Sequence, residues 1–248
     1  MSEFDYIEKN INDIREKINK AVLNRDNKDN NSYTGCKNKK VRLMAVTKTV
    51  DVDRINFAIS KGVDLIGENK VTELLEKYDR LNKDRLEIHF IGNLQTNKVR
   101  YIIDKVNLIQ SVNSLKLAEE INKRANQKNI VMDILVEINI GEEDSKIGIA
   151  PENAVEFMNS LKDFQNIRVK GIMTIPPAIA SFGENSKIKK YFSEMYKIFV
   201  DIAEKKIDNI NMDILSMGMS EDYEEAVLCG SDIVRVGRAI FGERKLFN

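Results

Sequence analysis

Short apolar runs alternate with amphipathic segments along most of the chain. The runs have the length of buried strands, and they cover residues 41–47, 65–66, 87–91, 108–109, 131–138, 169–173, 212–215 and 233–236. Between them, apolar residues recur every three or four positions, as in helices, over residues 52–60, 71–78, 114–125, 151–161, 189–205 and 220–228. Strands that alternate with helices indicate parallel β-α-β units, and eight such units in 248 residues predict one closed α/β barrel, the (β/α)8 or TIM barrel.

The first two dozen residues have a helical pattern of their own. Its apolar stripe consists of Phe4, Ile7, Ile11, Ile14, Ile18 and Val22. The stripe predicts an extra N-terminal helix that packs on the outside of the barrel or covers its N-terminal mouth. Residues 24–40 are rich in Asn, Lys and Asp, which predicts a solvated connector with little order. We expect one structural domain, with the helix and connector in residues 1–40 and the barrel in residues 41–248.

An open, doubly wound sheet is the alternative α/β fold. Such sheets commonly carry a Gly-x-Gly-x-x-Gly turn after the first strand, and this sequence lacks that turn. Residues typical of helix boundaries support the predicted units, and these are Asp51, Gly62, Ser114 and Pro151. After the sixth strand, Pro176-Pro177 predict a stiff turn, and residues 178–186 predict a mobile loop on the same rim.

Composition narrows the classes of function. The 39 basic and 39 acidic residues cancel and are scattered, so we expect no nucleic-acid partner. Two cysteines and a single histidine lack the spacing of a metal site. The N-terminus does not have the order of a signal peptide, and no apolar run approaches the length that spans a membrane. We expect a cytoplasmic protein without a metal or a membrane anchor, and a monomer because no long apolar seam is visible.

Lys48 stands at the end of the first predicted strand. A lysine at a strand end can extend into solvent, and this strand alone favours that interpretation. When a lysine is partly desolvated, however, its neutral amine is favoured, and the neutral amine is the form that makes a Schiff base with a carbonyl group. Functional residues of an eight-fold barrel gather at the C-terminal strand ends, so the other strand ends decide between the two interpretations.

The last two strand ends carry turns of the kind that bind phosphate. Leu-Ser-Met-Gly-Met-Ser at residues 215–220 follows the seventh strand, and Val-Arg-Val-Gly-Arg at residues 234–238 completes the eighth. Barrels commonly bind phosphate at these two positions through loop amides. Each turn alone is compatible with an ordinary turn. Two of them together with a strand-end lysine indicate pyridoxal 5′-phosphate, which combines a phosphate with an aldehyde.

Six separated segments resemble a known family. Residues 45–48, 67–69, 89–98, 171–176, 215–220 and 234–242 are similar, in this order, to the pyridoxal phosphate homeostasis proteins. That family resembles the barrel domain of bacterial alanine racemase standing alone. The resemblance extends from residue 41 to the C-terminus, and it implies a barrel that binds pyridoxal phosphate with the architecture called fold type III.

The resemblance implies roles for residues around the cofactor ring. Lys48 would hold the cofactor covalently as a Schiff base, Arg235 would face the pyridine nitrogen, and Asn69 would lie near the ring. His89 and Asn93 also fall in a family segment, but the resemblance assigns neither of them a chemical role. We expect His89 to be a hydrogen-bonded residue of the core.

The resemblance assigns the phosphate contacts to the last two strand ends. Ser216 and Met217 follow the seventh strand, and Gly237 and Arg238 follow the eighth, with Arg238 acting mainly through its backbone. The residue types agree with this assignment. Gly218 and Gly237 would let backbone N–H groups approach phosphate oxygens, and the hydroxyl of Ser216 would donate a hydrogen bond.

These residues favour binding of the cofactor over turnover. An arginine keeps its proton, so a pyridine nitrogen that faces it stays an acceptor and the ring is a weak electron sink. In the racemases that the resemblance implies, a tyrosine from an additional domain completes the second face. We expect that domain to be missing, because the chain ends at Asn248, and no tyrosine falls at a predicted strand end. The prediction is a protein of pyridoxal phosphate homeostasis that carries the cofactor to apo-enzymes that depend on it.

Two other functions stay open. A single-domain racemase of amino acids would exchange the α-proton of its substrate, and it needs a second base that the sequence does not reveal. A barrel that binds another phosphorylated ligand would carry no chromophore.

Overall fold

Eight parallel strands form a closed barrel in the order of the sequence. The computed structural model describes residues 3–27, 39–141, 147–177 and 185–242. The strands are β1 (Arg42–Val46), β2 (Leu65–Glu68), β3 (Glu87–Phe90), β4 (Leu108–Val112), β5 (Met132–Glu137), β6 (Ile167–Met173), β7 (Ile210–Ser216) and β8 (Ile233–Val236). Pairing of β8 with β1 closes the barrel, and the predicted (β/α)8 fold is confirmed.

Helices occupy the connections between the strands. They are α1 (Asp5–Asp26), α2 (Val52–Ser60), α3 (Val71–Tyr78), α4 (Val99–Ile102), α5 (Leu115–Gln127), α6 (Ala154–Leu161), α7 (Asn185–Lys205), α8 (Tyr223–Leu228) and α9 (Arg238–Phe241). The sequence pattern does not predict α4 and α9, because a single helical turn is too short to show a period. Within the described ranges, no helix combines the length and the apolar character needed to cross a membrane.

Local signals explain where several helices begin and end. The carboxylate of Asp51 accepts the backbone N–H of Arg54 at 2.9 Å, and Ser114 Oγ accepts that of Leu117 at 3.4 Å. These are the two predicted N-caps, and each satisfies a donor that the helix itself leaves unpaired. Gly62 follows α2 with φ at 84°, the left-handed conformation in which glycine commonly ends a helix.

The N-terminal helix lies on the outside of the barrel, which was the first of its two predicted positions. It packs against α8, α2 and α9. The hydroxyl of Tyr6 donates to the carbonyl of Phe241 at 3.3 Å, and the amide of Asn10 donates to that of Ile240 at 3.0 Å. These contacts connect α1 to the backbone of α9, the helix that follows the last strand.

Two segment boundaries differ from the prediction. The helix α1 continues to Asp26, so residues 24–26 are helical rather than part of the connector, because the side chain of Arg25 extends the buried stripe. Of the rest of the predicted connector, residues 28–38 lie outside the described residues. The predicted loop 178–186 likewise lies outside them up to residue 184, and α7 begins at Asn185.

The inside of the barrel holds a small apolar layer of its own. A large cluster fills the space between strands and helices, whereas the buried members of two separate small clusters all come from strands. Their buried members are Met44, Leu65, Leu108, Leu135, Met173 and Ile233, with Ile214 packed against both groups. Side chains alternate along a strand, so the residue two positions further on also points inward and lies nearer the C-terminal rim.

Candidate functional site

A layer of polar side chains follows the apolar layer on the side of the C-terminal rim. Each of its members comes two positions after an interior apolar residue of the same strand. The members are Gln110 on β4, Glu137 on β5, Ser216 on β7 and Arg235 on β8. All four are buried. Polar groups buried at this end of a barrel are typical of a functional site, because apolar residues would fill the interior if packing alone mattered.

Arg235 is the cation of this layer, and only 3% of it is exposed. Its Nη1 donates to Ser216 Oγ at 2.8 Å, and its Nη2 donates to the carbonyl oxygen of Thr174 at 2.7 Å. Burial lowers the pKa of Arg235 to about 10, although Asp222 and Glu137 act to raise it. The guanidinium therefore keeps its proton at neutral pH and is held in one orientation.

A chain of hydrogen bonds leads from Arg235 across the barrel. Since Ser216 Oγ accepts from Arg235, it donates its own hydrogen to Gln110 Oε1 at 2.7 Å. Gln110 Nε2 then donates to His89 Nδ1 at 3.0 Å, which leaves the ring proton on Nε2, 3.4 Å from Glu87 Oε2. Burial lowers the pKa of His89, although Glu87 acts to raise it. His89 is thus a neutral, hydrogen-bonded residue of the core, as predicted from the sequence.

The hydroxyl of Ser216 donates to Gln110, whereas the sequence predicts that it donates to a phosphate. It donates into the barrel, to Gln110, so its hydrogen is not available to a phosphate on the rim. The backbone N–H of Met217 donates to the carbonyl of Ile233 at 3.2 Å. Both residues are fully buried. A phosphate contact after β7 would therefore run through the turn that begins at Gly218.

Two glycine turns shape the rim after β7 and β8. Gly218 has φ at 94°, and a Cβ atom there would lie 2.5 Å from Cβ of Ala226. Glycine at this position therefore lets α8 pack against the turn. Gly237 lies against the end of β1, where its Cβ would be 3.3 Å from the carbonyl oxygen of Val46. Its N–H donates weakly to Ser220 Oγ at 3.4 Å, and that of Gly218 meets no acceptor in the described part of the chain.

Lys48 and Asn69 lie at neighbouring strand ends. Val46 pairs with Gly67 in the register of β1 and β2, and Lys48 and Asn69 each follow two residues later. Lys48 is half-buried. The side-chain oxygen of Asn69 is buried, and none of the described groups donates a hydrogen bond to it. This oxygen is an acceptor without a donor, which is a feature of sites that bind a ligand.

The seven predicted cofactor residues come from four consecutive strands of the closed barrel, β7, β8, β1 and β2. In this order they are Ser216, Met217, Arg235, Gly237, Arg238, Lys48 and Asn69. Arg235 and Ser216 are in direct contact. The side chain of Arg238 is exposed and pairs with Glu221 at 2.5 Å, which leaves its backbone for contacts on the rim. No group of three or more His, Cys, Asp or Glu side chains in the described ranges is arranged to hold a metal ion.

Glu137 is a residue of the site that the sequence analysis missed. Burial raises the pKa of Glu137 to about 7, although Arg235 and a hydrogen bond with Asn113 act to lower it. Its protonation therefore changes near neutral pH. The signal in the sequence was an acidic residue within the apolar run 131–138. Gln110 was missed in the same way, as a polar residue directly after a short apolar pair.

Comparisons with known proteins agree with this geometry. Residues 30–245 match the family model described as alanine racemase, N-terminal domain. The pyridoxal phosphate homeostasis protein of Aquifex aeolicus is 42% identical over 205 residues, which are 82% of this chain and 87% of that protein.

Solved structures are similar over most of the chain as well. A crystal structure of an unknown protein from Bifidobacterium adolescentis has a TM-score of 0.84 and 31% identity, and 97% of each chain is covered. PipY of Synechococcus elongatus, in a structure with PLP bound, has a TM-score of 0.73 and 27% identity over 82% of this chain and 92% of its own. The similarity thus extends through both the sequence and the fold.

Proposed function

Because this chain belongs to the alanine racemase N-terminal domain family and, within it, to the pyridoxal phosphate homeostasis proteins, we propose that it binds pyridoxal 5′-phosphate covalently on Lys48. Its role is to hold, buffer and deliver the cofactor rather than to turn over amino acids. The observation that supports this most is the combination, on four consecutive strand ends, of a half-buried lysine, a buried cation and two glycine turns.

The polar groups of the site fit this cofactor. The unpaired oxygen of Asn69 is an acceptor, and the ring of pyridoxal phosphate carries a hydroxyl that can donate to it. The turn at Gly218 offers a backbone N–H without an acceptor among the described residues, as a phosphate requires. Arg235 would donate to the pyridine nitrogen, because a guanidinium with a pKa of about 10 keeps its proton at neutral pH.

Each residue of the site has a defined task in binding. When bound, the cofactor supplies an aldehyde that condenses with an amine and releases one water. Lys48 provides that amine. Ser216 and Thr174 hold the guanidinium of Arg235 in place, and Gly237 keeps the turn after β8 close to the end of β1.

The protonated guanidinium of Arg235 also favours storage of the cofactor over catalysis. A group that keeps its proton at neutral pH leaves the pyridine nitrogen unprotonated, and an unprotonated ring withdraws electrons weakly. Proton removal from a bound amino acid is then disfavoured. Lys48 is only half-buried, which suits a cofactor that has to be released.

We extend the proposal to the partners and the setting of the protein. The recipients are apo-enzymes that depend on pyridoxal phosphate, and the protein acts as a monomer in the cytoplasm. In support of a monomer, the three most exposed large apolar residues of the described ranges lie in separate parts of the fold, with Leu23 on α1, Val131 before β5 and Ile147 before α6. Sedimentation at increasing concentration tests the monomer, and cofactor transfer to a purified apo-enzyme tests delivery.

The central experiment is absorbance spectroscopy of the purified protein with added pyridoxal phosphate. Wild type should develop a visible band that borohydride reduction fixes to the peptide containing Lys48, as read by mass spectrometry. Lys48→Ala should lose the band. Lys70→Ala is the matched control, because Lys70 is an exposed lysine after β2 on the same rim. Deuterium exchange at the α-carbon of L-alanine, followed in the same samples, detects turnover.

Each outcome has a definite meaning. A band lost only in Lys48→Ala, with no exchange of the α-proton, supports the proposal. A protein that gains no band contradicts it, and so does a reduced adduct on another lysine. Exchange that requires Lys48 would identify a racemase-like enzyme instead.

A further inference from the structure

Three charged side chains lie together next to the turn that carries Lys48, and two of them are buried while Glu73 is partly buried. Glu68 ends β2, and Glu73 and Lys77 lie on α3, one helical turn apart. Lys77 Nζ donates to Glu68 Oε1 at 2.9 Å and to Glu73 Oε1 at 2.6 Å. Glu68 is 1% exposed and Lys77 is 8% exposed. These three residues, the Glu68–Glu73–Lys77 cluster, have no part in the proposed contacts with the cofactor.

Lys48 and Thr49 occupy the central positions of a strained turn. A hydrogen bond of 3.0 Å from the N–H of Val50 to the carbonyl of Thr47 closes the turn. Thr49 has φ at 62°, a left-handed conformation that β-branched residues rarely adopt. Such a conformation costs about 1–3 kcal/mol, and it persists only where its surroundings hold it.

The cluster fastens both peptide groups that flank the Cα atom of Lys48. On the N-terminal side, Lys77 Nζ donates to the carbonyl oxygen of Thr47 at 2.8 Å. On the C-terminal side, the N–H of Thr49 donates to Glu73 Oε1. The ammonium thus uses all three of its donors, and Glu73 bridges it to the strained residue. Two fixed peptide planes determine the direction in which the side chain of Lys48 leaves the backbone.

Stability alone does not explain this cluster. Replacing a buried ion pair by apolar side chains of similar volume is often neutral, or stabilising by about 1–4 kcal/mol. One oxygen of Glu68, Oε2, is buried, and the described residues offer it no hydrogen-bond donor. Thr47 Oγ1 donates to the other oxygen at 2.7 Å, which links the carboxylate to the same turn. The bonds of the cluster converge on residues 47–49.

We propose that the Glu68–Glu73–Lys77 cluster is the positioning device for Lys48: it holds Thr49 in its left-handed conformation and so aims the amine at the cofactor. The inference rests on the proposed function of Lys48. Glu73 and Lys77 act through the backbone of residues 47–49. Releasing the turn lets Lys48 sample directions in which the amine misses the aldehyde, so capture becomes slower and weaker.

Variants of Glu73 separate the hydrogen bond from the charge. Glu73→Ala removes both the acceptor for the Thr49 N–H and the carboxylate, whereas Glu73→Gln keeps an acceptor oxygen and removes only the charge. We expect the affinity for pyridoxal phosphate to fall about tenfold in Glu73→Ala and in Lys77→Met, and by a smaller factor in Glu73→Gln. Glu76→Ala is the control, since Glu76 is exposed on the same helix.

Hydrogen exchange gives a readout that does not need the cofactor. The amide of Thr49 should exchange at least about tenfold faster in Glu73→Ala than in wild type, because its acceptor is gone, while Glu76→Ala leaves it unchanged. Urea unfolding of the same variants shows that each is folded.

The outcomes distinguish the inference from the proposed function. Faster exchange at Thr49 together with weaker cofactor binding supports the inference. Unchanged exchange contradicts it, and so does faster exchange with unchanged affinity, because the cluster would then be structural only. A wild-type protein that forms no adduct on Lys48 overturns the proposed function itself, and the inference falls with it.

Discussion

Replacing Glu137 by glutamine should stabilise the cofactor-free protein at alkaline pH. Only 8% of Glu137 is exposed, and burial raises its pKa from 4.5 to about 7, although Arg235 acts to lower it. That rise corresponds to about 2.5 pKa units. At about 1.36 kcal/mol per unit, the ionised carboxylate costs the folded protein about 3 kcal/mol.

The sign of the effect follows from proton binding. Because the pKa of Glu137 is higher in the folded than in the unfolded chain, its contribution to stability is complete below pH 4.5 and is lost as the pH rises through 7. Glutamine resembles the protonated carboxyl group at every pH. Wild type and Glu137→Gln should therefore be about equally stable at pH 4.5, and the variant should be more stable by about 3 kcal/mol at pH 8.

Urea unfolding of both proteins without cofactor, at pH 4.5 and at pH 8, measures this difference. Glu119→Gln is the matched control, because Glu119 is exposed on α5 and its replacement should change stability by less than about 0.5 kcal/mol at either pH. A Glu137→Gln variant whose advantage is the same at both pH values would refute the reasoning. The carboxyl group would then have enough contact with water to ionise as it does in the unfolded chain.

Three further substitutions test the packing, the buried hydrogen bonds and the helix cap around the site, each by urea unfolding at pH 7. Gly218→Ala should cost about 3 kcal/mol, because φ is 94° there and the new methyl group would press on Ala226; a loss below 1 kcal/mol would contradict this packing. Gln110→Ala should lower the free energy of unfolding by about 3 kcal/mol, because the fully buried side chain of Gln110 bonds to His89 and Ser216 and both bonds are lost. An unchanged free energy of unfolding would show that water takes the place of the glutamine side chain. Asp51→Ala should lower the free energy of unfolding by about 1 kcal/mol, because α2 loses its N-cap. Asp53 is exposed in the first turn of the same helix, so Asp53→Ala tests whether the cap or the negative charge alone is responsible.

The apolar pattern of the sequence is enough to predict the architecture, which the structure confirms, and the residues at the strand ends suggest the chemistry of the site. Apolar periodicity is a local property, so the eight strands and most of the helices could be predicted from stretches of ten or twenty residues. The N-caps Asp51 and Ser114 act on amides three residues away and are equally visible. The strand-end amine at Lys48 and the turns at Gly218 and Gly237 follow from the rule that a barrel works at the C-terminal ends of its strands.

The pairing of the polar groups, by contrast, depends on contacts between residues that are far apart in the chain. Ser216 donates to a glutamine 106 positions earlier in the chain, and no local pattern shows that its hydroxyl points into the barrel rather than to the rim. The pKa of Glu137 is raised because the closed barrel excludes water from the end of β5. The bonds from Glu73 and Lys77 to residues 47–49 likewise require α3 to pack beside the end of β1. Hydrogen bonds and burial depend on neighbours in space, and closure of the barrel brings those neighbours together from distant parts of the sequence.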